Sequence, residues 1–157
     1  MLEEWEKLRN PDYVPEEEKP VAERKAVAFT RNKPAFMRSL RNAVFDLVKA
    51  LSREDGVAIL GMIEPADGEG LAWNRQRIDA LLDGYFTGHE RIRLDPEARA
   101  AKHTRISEEA PRKWIVEQVL VDPEELNDWV LKVAVDLDRC DADGAVVMTM
   151  DSLEAVI

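Results

Sequence analysis

Cysteine occurs once, at Cys140, and histidine twice, at His89 and His103, among 157 residues. A lone cysteine forms no internal disulfide, so the sequence predicts a reducing, cytoplasmic setting. No apolar run exceeds four residues (Val57–Leu60 is one of the longest), whereas a spanning helix needs about 20, so no membrane span is expected. The opening Met1-Leu2-Glu3-Glu4-Trp5-Glu6 is acidic and lacks an apolar stretch, which argues against a secretory signal. No Gly-x-x-x-x-Gly-Lys-Ser/Thr segment exists to cradle phosphates, and Gly68-Glu69-Gly70 is too short and too acidic for a dinucleotide loop. Ser39, Ser52, Ser107 and Ser152 lack a nucleophile-elbow context. The sequence therefore predicts neither a cofactor nor a catalytic centre.

What is present suffices to fold. With 45% hydrophobic and 34% charged residues, the chain fits one compact domain with a core of its own. Net charge is −10, yet the charge is unevenly distributed. Residues 1–20 carry seven acids against Lys7, Arg9 and Lys19. Residues 21–50 reverse this, with Arg24, Lys25, Arg31, Lys33, Arg38, Arg41 and Lys49 against Glu23 and Asp46. From Asp122 onward there are ten acids and two bases. Such a basic stretch suits phosphates, the acidic half of its own chain, or plain solvation.

Leu2, Trp5 and Leu8 suggest a short helix that Asn10-Pro11 stops. Three prolines and Glu16-Glu17-Glu18 make residues 11–20 an extended linker. Residues 1–20 are thus a short helix plus linker, and residues 21–157 one domain. Its first helix begins near Pro34, with Phe36, Leu40, Ala43, Val44, Leu47, Val48 and Leu51 at helical spacing. Ser52-Arg53-Glu54-Asp55-Gly56 ends or interrupts it, and Val57–Ile63 fits helix or strand. Asn74 is a plausible N-cap for a helix burying Ile78, Leu81, Leu82 and Tyr85.

The last third changes period. His103–Glu108 suggests an edge strand, Lys113–Val121 a strand covered on both faces, and Ala145–Asp151 another strand. Asp128–Asp138 alternates, with Trp129, Leu131, Val133, Val135 and Leu137 facing one way. Asp122–Asn127 and Arg139–Gly144 read as short turns, so the strands should pair as antiparallel neighbours. The expected class is α+β, N-terminal helices on a C-terminal antiparallel meander. That order is also similar to cone-shaped folds of the nuclear-transport-factor type.

Few constellations invite chemistry. Asp136, Asp138, Asp141, Asp143 and Gly144 fail as a calcium loop: with Gly144 at position six, Arg139 falls at one and Met150 at twelve. A hairpin turn is the expectation there. His89 and His103 neighbour Glu90 and Glu108 in no ligand motif, so no metal site is expected. His89 beside Tyr85 offers a general base if a pocket lies there; otherwise it is a histidine at a helix end. Trp114 and Trp129, on adjacent strands, are expected in the core.

Several segments together resemble the region that closes certain bacterial DEAD/DEAH-box helicases of superfamily II. These are Leu2-Glu3-Glu4-Trp5-Glu6-Lys7-Leu8-Arg9-Asn10-Pro11 and Arg38-x-x-Arg41-Asn42-Ala43-Val44-Phe45, then Tyr85-Phe86-x-x-His89-x-x-Ile92. Trp114-x-Val116-x-Gln118-Val119-Leu120-x-Asp122-Pro123, Asp128-Trp129 and Val135-Asp136-Leu137-x-x-Cys140-Asp141-x-x-Gly144 follow in the same order. The resemblance implies a C-terminal accessory domain of unknown function, with the family's motor motifs upstream of it and absent here. Its partners would be a helicase core or other protein domain and, weakly, RNA or DNA, touched through Arg31, Lys33, Arg38 and Arg41. The rival expectations are a small-molecule-binding or enzymatic cone with a pocket at Tyr85 and His89, and a protein-interaction domain anchored by Trp5 and Leu8. Fold pattern alone does not choose between them.

The missing phosphate cradle and the net charge of −10 predict that the isolated chain neither binds nor hydrolyses ATP. A phosphate-release assay checks this; turnover above a buffer blank, abolished by one point mutation in the chain, contradicts it.

Overall fold

The computed structural model describes residues 29–156. The short helix at Leu2–Arg9, the 11–20 linker, Arg24, Lys25 and the anchors Trp5 and Leu8 lie outside the described residues.

The first helix, α1 (Lys33–Ser52), starts where the Asn32 side chain accepts a hydrogen bond from the Ala35 N–H at 3.2 Å, with Pro34 in the first turn. Phe36, Leu40, Val44, Leu47, Val48 and Leu51 form its buried stripe. Arg53 and Glu54 close the helix, and Glu54 takes a positive φ of 51°. The ambiguous 57–63 run is helix, α2 (Gly56–Met62), because the Asp55 side chain caps it through the Ala58 N–H. The expected cap Asn74 opens α3 (Arg75–Gly88), accepting from the Arg77 N–H at 2.8 Å, and Ile78, Leu82 and Tyr85 are buried.

Four strands follow: β1 (Thr104–Ala110), β2 (Lys113–Leu120), β3 (Trp129–Asp136) and β4 (Met148–Ala155). They form one antiparallel sheet in the order β1-β2-β3-β4, so the chain is α+β, helices first. His103–Glu108 does supply the edge strand, one residue late: Ala101–His103 is a short 3₁₀ turn and β1 begins at Thr104. Val116 and Leu120 of β2, Leu131, Val133 and Val135 of β3, and Met150 and Leu153 of β4 join Leu40, Leu47, Ile59, Leu82 and Tyr85 in one buried cluster. Trp114 and Trp129 are half-buried at its rim, 5.5 Å from Phe36 and 5.6 Å from Tyr85 between ring centroids.

Three expectations need correction. Arg139–Gly144 is not a hairpin turn but part of a helix, α4 (Leu137–Asp143). The Asp136 carboxylate caps it by accepting from the Asp138 and Arg139 N–H groups, Leu137 and Cys140 bury one face, and Gly144 ends it at a φ of 68°. Leu137 is accordingly in that helix rather than on the strand. Because α4 uses these residues, the last strand starts at Met148 instead of Ala145. In β2, Val116, Gln118 and Leu120 are buried beneath the helices, and on the opposite face Ile115 is buried while Glu117 and Val119 are half-buried.

Two features tie the ends of the sheet. Asp151 is an extra residue between the Lys132–Ser152 and Val133–Met150 pairs, a bulge whose carboxylate accepts from the Gly68 N–H at 3.1 Å. At the other end Asp141 accepts from the Thr30 N–H at 3.0 Å and the Thr30 hydroxyl at 2.9 Å, and pairs with Arg112, fixing the start of the described chain to α4.

Val133 is fully buried where β3 meets the helices. Val133→Ala is expected to cost about 1–3 kcal/mol in lost burial and cavity formation. Urea denaturation checks it; an unchanged midpoint contradicts the placement.

Candidate functional site

Burying the α1 stripe leaves the flank carrying Arg38, Arg41 and Asn42 exposed at the rim of the core. Those residues and Phe45 form one wall of a recess of about 220 Å³, and Arg99, Thr104 and Gln118 complete it. Three guanidinium groups thus line one small concavity, and among the described residues no acidic side chain lines it. The Arg99 guanidinium carbon lies 4.7 Å from the Phe45 ring centroid, a cation–π contact that holds this arginine over α1. The Thr104 hydroxyl donates to Gln118 Oε1 at 2.5 Å, and Gln118 Nε2 donates to the Val119 carbonyl at 3.2 Å. Arginine forks and two side-chain amides form a donor set suited to phosphate oxygens. Among the described residues, no acidic group lies within 4.0 Å of Arg38, Arg41 or Arg99. Arg77, Arg93, Arg112 and Arg139 are each paired with a carboxylate.

Arg31 and Lys33 are exposed at the start of α1 and do not line the recess. Lys33 precedes Arg41 by eight residues, about 12 Å along the helix axis. Arg38 and Arg41 are therefore brought together and joined by Arg99, while the other two stand apart.

Tyr85 and His89 meet in the core rather than at the arginine recess. Tyr85 is fully buried, and its hydroxyl donates to the Arg91 carbonyl at 2.8 Å. Burial, then the nearby carboxylates of Asp122 and Asp128, push its phenol well above the usual value. His89 caps α3, its N–H donating to the Tyr85 carbonyl at 3.0 Å. It faces Asp128 and Asp122 instead of the adjacent Glu90. Nε2 lies 2.9 Å from Asp128 Oδ1, and Nδ1 lies 3.7 Å from Asp122 Oδ2. Asp122 accepts from the Leu126 N–H at 3.2 Å and the Asn127 N–H at 2.9 Å. Burial pushes its carboxyl up, but backbone N–H groups, those of Asn127 and Leu126 foremost, outweigh burial and hold it below the usual range.

A larger concavity, about 650 Å³, opens on the uncovered face of the sheet. Six acids, Asp151 and Glu154 among them, and four bases, including Lys132 and Arg139, line it, so its charge is mixed. Its rim is the 64–73 loop, held by Asp67. One Asp67 oxygen accepts from the Glu69 and Leu71 N–H groups, and the other meets Arg77 at 2.5 Å. Arg77 also stacks over the Trp73 ring at 3.7 Å.

Sequence reasoning missed Arg99, Asp122 and Asp128. Arg99 sits in a stretch without periodicity, and the two aspartates are 33 and 39 residues beyond His89, so no local spacing links them.

The family described as Domain of unknown function (DUF3516) has a model that matches residues 1–153. Neither a curated protein nor a solved structure matches the chain.

The Arg77 guanidinium holds the Asp67 carboxyl below its ordinary value of 3.8. A depressed carboxylate adds stability that is present above that value and lost as pH falls through the folded-state value below it. Asp67→Asn should therefore lower the urea midpoint at pH 7, and the gap to wild type should shrink by pH 3. A gap that is constant or grows with acid contradicts this role.

Proposed function

We propose that this chain, which belongs to the DUF3516 family of domains of unknown function, is a non-catalytic accessory module of the kind that closes DEAD/DEAH-box helicases. In this reading it steadies a nucleic-acid strand, or the helicase body around that strand, through the phosphate backbone. The observation that carries the proposal is the recess lined by Arg38, Arg41 and Arg99, with no acidic neighbour in its wall among the described residues. The resemblance of the Arg38–Phe45 segment to helicase-associated sequences points the same way. Arginine forks grip phosphate oxygens in pairs, and a phosphate contact reads charge rather than sequence.

Magnitudes bound the interaction. Net charge of −10 repels a polyanion from most of the surface. Binding is then local and weak, about 10⁻⁴–10⁻⁶ M, the ordinary non-specific range. Three phosphate contacts on a single strand give a log–log salt slope of about −2. The Tyr85–His89 pocket finds no comparable support, since both side chains are buried.

Fluorescence anisotropy on labelled single-stranded RNA and duplex DNA at two salt concentrations tests the proposal. Wild type should bind without sequence preference, more weakly at the higher salt, and Arg38→Glu/Arg41→Glu/Arg99→Glu should not bind. No binding by wild type at low salt, or equal binding by the triple variant, overturns it.

A further inference from the structure

Among the described residues, one buried side-chain nitrogen or oxygen has no hydrogen-bond partner, and it is His89 Nδ1. The His89 side chain is 4% exposed. A carboxylate only accepts, so the 2.9 Å contact with Asp128 Oδ1 places the ring proton on Nε2. Nδ1 of the neutral ring is then a bare lone pair. It faces a second acceptor, Asp122 Oδ2, whose side chain is fully buried, across 3.7 Å. Two acceptors turned toward each other in a dry interior call for a cation between them.

The separation distinguishes which cation. A proton on Nδ1 would draw the charged pair to about 2.7–2.9 Å, and 3.7 Å is no hydrogen bond. Two donors each about 2.0–2.2 Å from a shared ion stand farther apart than that and admit a span of 3.7 Å. One ligand atom from each of His89, Asp122 and Asp128 lies within 4.8 Å of the others. The geometry points to a divalent transition-metal site at the end of α3, with His89 Nδ1 and Asp122 Oδ2 as ligands and Asp128 as the carboxylate that orients the imidazole. Such a carboxylate–histidine–metal relay fixes the tautomer that coordination needs. Imidazole nitrogen with carboxylate oxygen suits zinc or manganese rather than a thiophilic ion. The bound ion fastens the last turn of α3 to the β2–β3 connection. This site is independent of the arginine recess.

Calorimetric titration of the chelator-stripped full chain with Zn²⁺, and visible absorption with Co²⁺, test the proposal. Wild type should bind one equivalent, gain thermal stability on loading and lose that gain to chelator. His89→Gln should abolish binding, Asp128→Asn should weaken it roughly 10–100-fold as an orienting partner does, and His103→Gln should leave it unchanged. Should His89→Gln fail to fold, the milder Asp128→Asn decides. Failure of wild type to take up either metal at millimolar concentration leaves a proton as the only occupant and overturns the proposal. Undiminished affinity in His89→Gln or Asp128→Asn does so equally.

Discussion

Burial of one face of α1 beneath the β2–β3 half of the sheet is the constraint on which the other features depend. Leu40, Leu47 and Leu51 are 1% or less exposed, as are Val116, Leu131 and Val133. Each such side chain contributes roughly 1.5–3 kcal/mol over exposure. That face fixes the rotation of the helix about its axis, and Arg38, Arg41 and Asn42 have nowhere to go except the rim above β1. Phe45 sits at the boundary, 5% exposed, and supplies the ring over which Arg99 lies. The cationic recess is therefore a by-product of core packing, held at the register the apolar stripe dictates.

Electrostatics then separates the surfaces. A chain with ten more acids than bases still presents one recess whose wall, among the described residues, is free of acid. Several carboxylates elsewhere are engaged by bases: Asp67 with Arg77, Asp95 with Arg93, Glu97 with Lys102, and Asp138 and Asp141 with Arg112. Glu97 is held by Lys102 at 2.7 Å, which leaves the neighbouring Arg99 for the recess. The uncovered face of the sheet has the larger concavity but mixes both signs, so it gives a polyanion no net attraction.

Much of the fold was legible because local signals agreed with tertiary packing. The α1 stripe, the Asn74 cap and the alternation along β3 each state a period or a cap that the core then exploits. Where local chemistry admitted two outcomes, tertiary context decided. Asp136 to Gly144 has the residues of a turn, but Leu137 and Cys140 three apart give α4 a face to bury, and the aspartate becomes a cap. The apolar run of β2 predicted cover on both faces; the helices cover one, and on the other Ile115 is buried within the fold. The site was legible in part. Arg38 and Arg41 could be paired from their spacing on one helix, whereas Arg99 joins them only through the docking of the segment before β1. His89, Asp122 and Asp128 are likewise assembled by the fold across the α3–β3 interval, beyond the reach of any motif.

Amide chemical-shift mapping of the ¹⁵N-labelled chain during titration with a short single-stranded oligonucleotide tests the central claim most directly. The account predicts perturbations concentrated at Arg38–Phe45, Arg99, Thr104 and Gln118, fading as salt is raised. Shifts confined to the sheet groove around Gly68, Lys132 and Asp151, or no shifts at low salt, would contradict it.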